Sequence, residues 1–188
     1  MAEGGAYMIH KALHFATVCH QNQMRKGTNI PYVLHCVEAG VIASNLTNEA
    51  GVIDEEVVAA AILHDTMEDA FVSYATLVEV FNERVAMLVQ AQSEDKSKTW
   101  QERKEATIDF LRRNESPAVE MATLSDKLSN MRAIAKEYAV RQDAMWEKFN
   151  AGKEKQQWYY TTLGKSMKYV KETKEYKEYQ ALVQETFQ

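Results

Sequence analysis

Proline and glycine are scarce, at two and seven residues in 188, and so is cysteine, at two. The apolar residues recur mostly at spacings of three and four rather than two, so the fold expected is all-α. Cys19 and Cys36 give no disulfide framework. No apolar run approaches the ~18 residues that a membrane helix needs. The start, MAEGGAYMIHKAL, lacks the charged head and apolar stretch of a signal peptide. Positive charge is also short: 22 Lys and Arg stand against 27 Asp and Glu, a net charge of −5 with a pI near 5.6. That balance argues against a general nucleic-acid binder but leaves room for a local basic patch that receives a polyanionic small molecule. With 46% hydrophobic and 26% charged residues the composition is that of a folded globular protein. Its length suits one domain spanning residues 1–188, with helices from about residue 138 onward packing on the core. These features predict a cytoplasmic protein without membrane or nucleic-acid partners.

The helical period predicts a first helix over about Ala6 to Gln23, with Ile9, Leu13, Ala16 and Val18 inside, and a second from near Leu34 to about Asn48. Asp54 has the place of an N-cap, with Glu55 and Glu56 in the first turn, for a helix carrying VVAAAILHD. That helix is almost wholly apolar and is expected at the centre. Ser73 suits the cap of a short helix through Phe81, followed by an amphipathic segment with Val85, Leu88 and Val89. After the polar break SEDKSKT comes a charged helix of roughly Trp100 to Arg113. Pro117 fits the first turn of another, with Val119, Leu124, Leu128 and Met131 buried. The remainder reads as two helices with a bend near Gly164.

The most informative stretch is AAAILHDTMEDA, residues 59–70, which sets His64, Asp65, Glu68 and Asp69 behind an unbroken apolar run. On a continuous helix all four groups crowd one edge. Three carboxylates at the end of a buried helix repel one another, and a divalent cation removes the conflict. His35, at the start of the second helix, and Asp126, on an otherwise apolar helix, are the candidates that complete a ligand set with His64 and Asp65. Two imidazoles and two carboxylates suit manganese, iron or zinc better than calcium or magnesium. Glu68 and Asp69 then lie outside the ligand set, close enough to orient or deprotonate water for metal-assisted hydrolysis.

The segments RKGTNIPYVLH, AAILHDTMED and LSDKLSNMR together resemble the HD superfamily of metal phosphohydrolases. More specifically they resemble the hydrolase domain of RelA/SpoT homologues in its free-standing form, the small alarmone hydrolases. The resemblance covers roughly Ala12 to Arg132, with weaker support from QQWYYTTL. It implies a single-domain, all-helical HD bundle that uses Mn2+ to remove the 3′-diphosphate of guanosine tetra- or pentaphosphate, giving GDP or GTP and pyrophosphate. By the same resemblance the metal ligands are His35, His64, Asp65 and Asp126, the water-activating pair is Glu68 and Asp69, and Arg25, Lys26 and Asn130 contact the nucleotide. Cys36 stands where a proline often follows the ligand histidine, and QAQSEDKS departs from the usual text. Both departures bear on substrate preference more than on catalysis.

Other readings of the same residues stay open at this point. The same machinery could act on another 3′-phosphorylated nucleotide, an adenosine alarmone or NADPH, or serve a sensor that binds without turnover. His10, His14 and His20 match no ligand motif and read as surface or packing residues. Cys36 reads as a buried thiol. Lysines 165, 168, 171, 174 and 177 are interleaved with Glu172, Glu175 and Glu178 and read as a solvated helix face. Trp158, Tyr159 and Tyr160 suit either the core or a pocket wall.

Overall fold

The structure, a computed structural model, describes residues 5–47 and 50–187. Its centre is α3 (Glu55–Leu63), in which every residue from Val57 to Leu63 is buried. Asp54 caps it by accepting from Val57 N, and Glu55 and Glu56 lie in the first turn, where carboxylates favour a helix N-terminus. Arg84 then grips both Asp54 (2.5 Å) and Glu56, fixing that end of α3 to α6 (Glu83–Gln90).

Around α3 pack α1 (Gly5–Cys19), α2 (Val33–Asn45), α6 and the 25-residue α8 (Pro117–Arg141). The run Ala59–Ala60–Ala61 lets these neighbours approach closely, and α2 answers with Gly40. A Cβ built there would lie 2.5 Å from Ile62 Cγ1, so only glycine fits. Between α3 and α6 come α4 (Thr66–Asp69) and α5 (Tyr74–Val80), the latter capped by Ser73. α7 (Trp100–Arg113) opens with a capping box formed by Thr99 and Glu102.

After a 3₁₀ turn at Gln142–Lys148 the chain forms α9 (Lys153–Ser166) and α10 (Lys174–Phe187). α10 rests on α8 and α9, tied by Tyr179 Oη donating to Tyr160 O at 2.7 Å. The connecting turn is held down by buried Glu120, which accepts the backbone N–H groups of Lys168 (2.8 Å) and Tyr169 (2.7 Å). Among the described residues no helix is long and apolar enough to cross a membrane. The all-helical expectation is borne out, as are the central apolar helix, the Asp54 and Ser73 caps and the buried faces of α6 and α8.

Three details differ and one is placed more closely. The first helix stops at Cys19 rather than Gln23, and Val18 is 68% exposed, because Ala12 and Ala16 define the buried stripe and Val18 lies two residues off it. The second helix closes at Asn45, and the expected end at Asn48 lies outside the described residues. The bend expected near Gly164 comes just after it, where α9 ends at Ser166; Gly164 itself sits in the last turn, where a Cβ would come 2.4 Å from Gln180 Nε2 and 2.9 Å from the Tyr179 ring, so α10 packs closely there. The five lysines are exposed as expected, yet they do not share one helix face, since the chain breaks between Ser166 and Lys174.

The tight crossing of α2 and α3 yields a stability prediction. Gly40→Ala overpacks against Ile62 and lowers unfolding free energy by about 1–3 kcal/mol. In urea melts of single and double variants, combining it with Ile62→Ala costs less than the sum of the two separate losses, because alanine removes the Cγ1 atom that a Cβ at position 40 meets.

Candidate active site

The functional residues gather where α3 ends. The helix does not run on through the histidine–aspartate pair, contrary to the sequence expectation, and the reason is local. His64 Nδ1 lies 2.8 Å from Ala61 O, and Thr66 Oγ1 donates to Leu63 O at 2.7 Å. These side chains take carbonyls that backbone N–H groups would otherwise use, so α3 stops at Leu63 and α4 begins at Thr66. Asp65 stands between them, in the irregular step, and turns its carboxylate back toward His64.

A carbonyl oxygen can only accept, so the Ala61 contact requires hydrogen on Nδ1 of His64. In the neutral ring Nε2 is then a bare lone pair. That nitrogen faces Nε2 of His35, on α2, at 3.1 Å. Asp126 Oδ1, from the middle of α8, lies 3.2 Å from His35 Nε2 and 3.5 Å from His64 Nε2. Asp65 Oδ2 lies 2.8 Å from His64 Nε2 and 4.0 Å from His35 Nε2. Ligand atoms of His35, His64 and Asp126 all fall within 4.8 Å of one another, and all three side chains are buried.

Two imidazole nitrogens and two carboxylates converging in a buried space need a cation among them. Atoms about 2.1 Å from one ion are separated by such distances across its coordination sphere, so the donor set fits a divalent metal in both spacing and chemistry. The charges agree. Burial pushes the His35 imidazole down. Burial also works against a charged His64, but Asp65 and Asp126 outweigh it and hold the imidazole up at about 9. Against their own burial, Asp65 is held down chiefly by His64, and Asp126 well down by Lys127 and the imidazoles. Positive charge is what the carboxylates are set to receive.

The four expected ligands are thus brought together, and part of the expected substrate set lies beside them. Arg25 NH2 donates to Asn130 Oδ1 at 3.1 Å, and Asn130 Nδ2 donates to Asp126 Oδ1 at 2.6 Å, so both sit at the rim of the cluster. Lys26 is turned instead to Asn150 Oδ1, at 3.3 Å. Glu68 and Asp69 stand off the imidazoles. Glu68 Oε1 accepts from Glu94 N at 2.6 Å, while Asp69 accepts from Lys96 Nζ (2.8 Å) and Gln23 Nε2 (2.8 Å). Burial, reinforced by the charges of Asp65 and Glu94, pushes the Glu68 carboxyl up.

Several participants carried no assigned role in the sequence. Tyr32 donates to Asp65 Oδ2, and Lys127 Nζ reaches Asp126 Oδ2 at 2.5 Å. Both lie inside the motif segments, which was the available signal. Glu94 gathers Lys104 (2.7 Å) and Arg103 (3.3 Å), and nothing in local spacing announces that meeting. Tyr159 and Tyr160 resolve as core, Tyr159 lying under the Lys104 ammonium at 4.8 Å from its ring. Cys36 is buried, and burial raises its thiol pKa. His10 and His14 are exposed, and His20 is buried with Nδ1 2.7 Å from Gln23 Oε1.

Residues 12–151 match the HD domain family. The chain belongs to that family. HD-domain relatives include the guanosine-3′,5′-bis(diphosphate) 3′-pyrophosphohydrolase MESH1 of Drosophila melanogaster, 36% identical over 66% of this chain and 68% of that one. The human protein of the same name is 34% identical over 69% and 70%. A solved structure described as a metazoan orthologue of SpoT that hydrolyses ppGpp superposes with a TM-score of 0.74 at 26% identity, covering 94% of both chains. The resemblance carried by the three motif segments is therefore borne out, and an HD domain with this His–His–Asp cluster implies a divalent metal.

The Glu94 cluster generates a prediction of its own. Burial would raise the Glu94 carboxyl, but Lys104, Lys127 and Arg103 together pull it below its ordinary 4.5. A depressed carboxyl stabilises the fold above its unfolded pKa and loses that contribution as pH falls through the folded one. Glu94→Gln is expected to destabilise by about 3 kcal/mol at pH 7, since it leaves buried cations unpaired. In thermal melts from pH 7 to pH 3 the gap from wild type holds down to about 4.5 and then closes.

Proposed function

We propose that this HD domain is a manganese-dependent hydrolase that removes the 3′-diphosphate from guanosine tetra- and pentaphosphate, releasing pyrophosphate and GDP or GTP. The observation that carries the reading is the buried convergence of His35, His64, Asp65 and Asp126, with Arg25 and Asn130 at its rim. The names of the relatives point to the same chemistry.

A divalent ion held by the four ligands supplies Lewis-acid polarisation of a phosphate oxygen and makes water easier to deprotonate. The mixed nitrogen and oxygen donors favour manganese, iron or zinc, and we assign manganese as the working ion. Glu68 orients water or takes its proton, a role suited by a carboxyl pushed up by burial. Asp69, tied to Lys96 and Gln23, shares the orienting role. Arg25 meets the nucleotide through a planar guanidinium that pairs with phosphate or stacks on a base, Lys26 adds point charge once released from Asn150, and Asn130 meets the nucleoside. We further propose that the whole chain acts as one unit, with α10 closing on α8 and α9 packing on α7 and α10, and that it works in the cytoplasm, where two free cysteines are at home.

The test is pyrophosphate release from ppGpp with and without Mn2+. Wild type is expected to release GDP and pyrophosphate only with metal. Glu68→Ala should lose about 10²–10⁴ in kcat while still binding Mn2+, whereas His64→Ala should lose metal and activity together. No release by folded, Mn2+-loaded protein sinks the proposal. Faster turnover of a 3′-phosphorylated adenine nucleotide or NADPH would replace guanine as the base, and tight ppGpp binding without turnover would make the protein a sensor.

A further inference from the structure

Behind His35 a chain of polar contacts leads away from the metal ligands to the last helix. Nδ1 of His35 lies 2.8 Å from Ser129 Oγ, and Ser129 is itself buried on α8. The Ser129 hydroxyl donates to Glu38 Oε2 at 2.7 Å, one turn along α2 from His35. Glu38 Oε1 accepts from Arg132 NH1 at 3.2 Å. The other edge of the same guanidinium makes two parallel bonds to Glu178 of α10, Nε to Oε1 at 2.6 Å and NH2 to Oε2 at 2.8 Å. α10 lies beyond residues 12–151, the part of the chain that matches the HD family.

We infer that Ser129 and Glu38 are positioning residues for His35, held in place through Arg132 by Glu178, and that they dictate which imidazole nitrogen faces the metal. The inference rests on the metal reading above. A serine hydroxyl has one hydrogen, and here a carboxylate oxygen, which only accepts, takes it. Toward His35, Ser129 can therefore only accept, so Nδ1 must carry the ring hydrogen. Nε2 is left as a lone pair aimed at His64 Nε2 and Asp126 Oδ1. Without this arrangement the opposite tautomer competes, because an Nε2–H could donate to Asp126 Oδ1, 3.2 Å away, and block the ligand position. His64 reaches the same tautomer through a backbone carbonyl, while His35 depends on side chains from three helices.

Mn2+ affinity, measured by electron paramagnetic resonance of the free ion, is the first readout. Ser129→Ala and Glu38→Leu, which leaves no oxygen to accept the Ser129 hydroxyl, are each expected to weaken it by about 10–100-fold, with the metal-free protein still unfolding in one cooperative thermal transition. A second readout is the ring N–H spectrum of zinc-loaded, ¹⁵N-histidine-labelled protein. Wild type should show an exchange-protected Nδ1–H signal from His35, and Ser129→Ala should lose it. Glu38 is only half-buried, so Glu38→Leu keeps the test open if Ser129→Ala does not fold. Wild-type Mn2+ affinity in either folded variant, or a protected Nδ1–H that survives Ser129→Ala, overturns the inference. Failure of the metal reading looks different: wild type binds no Mn2+, or His64→Ala binds it as tightly as wild type, and the inference then falls with its premise.

Discussion

The opposition of two imidazole Nε2 atoms at 3.1 Å is the constraint around which the molecule is arranged. In neutral rings two lone pairs at that distance repel, and two carboxylates beside them add negative charge in a largely buried space. Such a cluster persists only if the helices that carry it cannot relax apart. The apolar body of α3 supplies that rigidity on one side, and α2 and α8 close on it from the others. The donor set is therefore displayed from three helices whose packing is fixed by ordinary apolar burial, while the chemistry comes from what those helices present at one end.

The break between α3 and α4 is as much a part of the site as the ligands are. A continuous helix would carry Asp65 about 100° round from His64. Spending the last carbonyls of α3 on His64 Nδ1 and Thr66 Oγ1 ends the helix and swings Asp65 back to 2.8 Å from His64 Nε2. The His64 contact thus does two things: together with the Thr66 bond it stops the helix, and it chooses the tautomer of the His64 ring. The acidic pair on α4 is displaced outward by the same break and is held by partners of opposite sign and by a backbone N–H.

Local signals were legible in the sequence, and assembled ones were not. The Asp54 cap, the buried run of α3 and the span of α7 follow from residue types within a turn or two of one another. The convergence of His35, His64, Asp65 and Asp126 was legible for a different reason: histidine and aspartate interrupting apolar stretches are costly unless they meet. The course of the chain at His64 was misjudged because side-chain competition for helix carbonyls leaves no trace in hydrophobic period. Val18 was misplaced because it is apolar and helical yet lies two residues from the Ala12–Ala16 stripe. The meeting of Glu94 with Arg103 and Lys104 depends on how the loop after α6 folds back on α7, and that of Glu38 with Ser129 and Arg132 on the crossing of α2 and α8; no residue spacing encodes either.

The same constraint ties stability to ligation. Asp65 and Asp126 hold the His64 imidazole up at about 9 against its burial, while burial keeps His35 low, so the cluster draws positive charge. A single positive charge on one imidazole leaves two carboxylates only partly compensated; a divalent ion would add a charge and meet all four groups. Binding to the folded state alone stabilises it by RT ln(1 + [L]/Kd), about 2.7 kcal/mol at a hundredfold excess over Kd. The buried repulsion that makes the metal-free cluster unfavourable is therefore the source of the metal's hold on the fold. A weaker cluster, diluted by water or by looser packing, would bind less tightly and stabilise less.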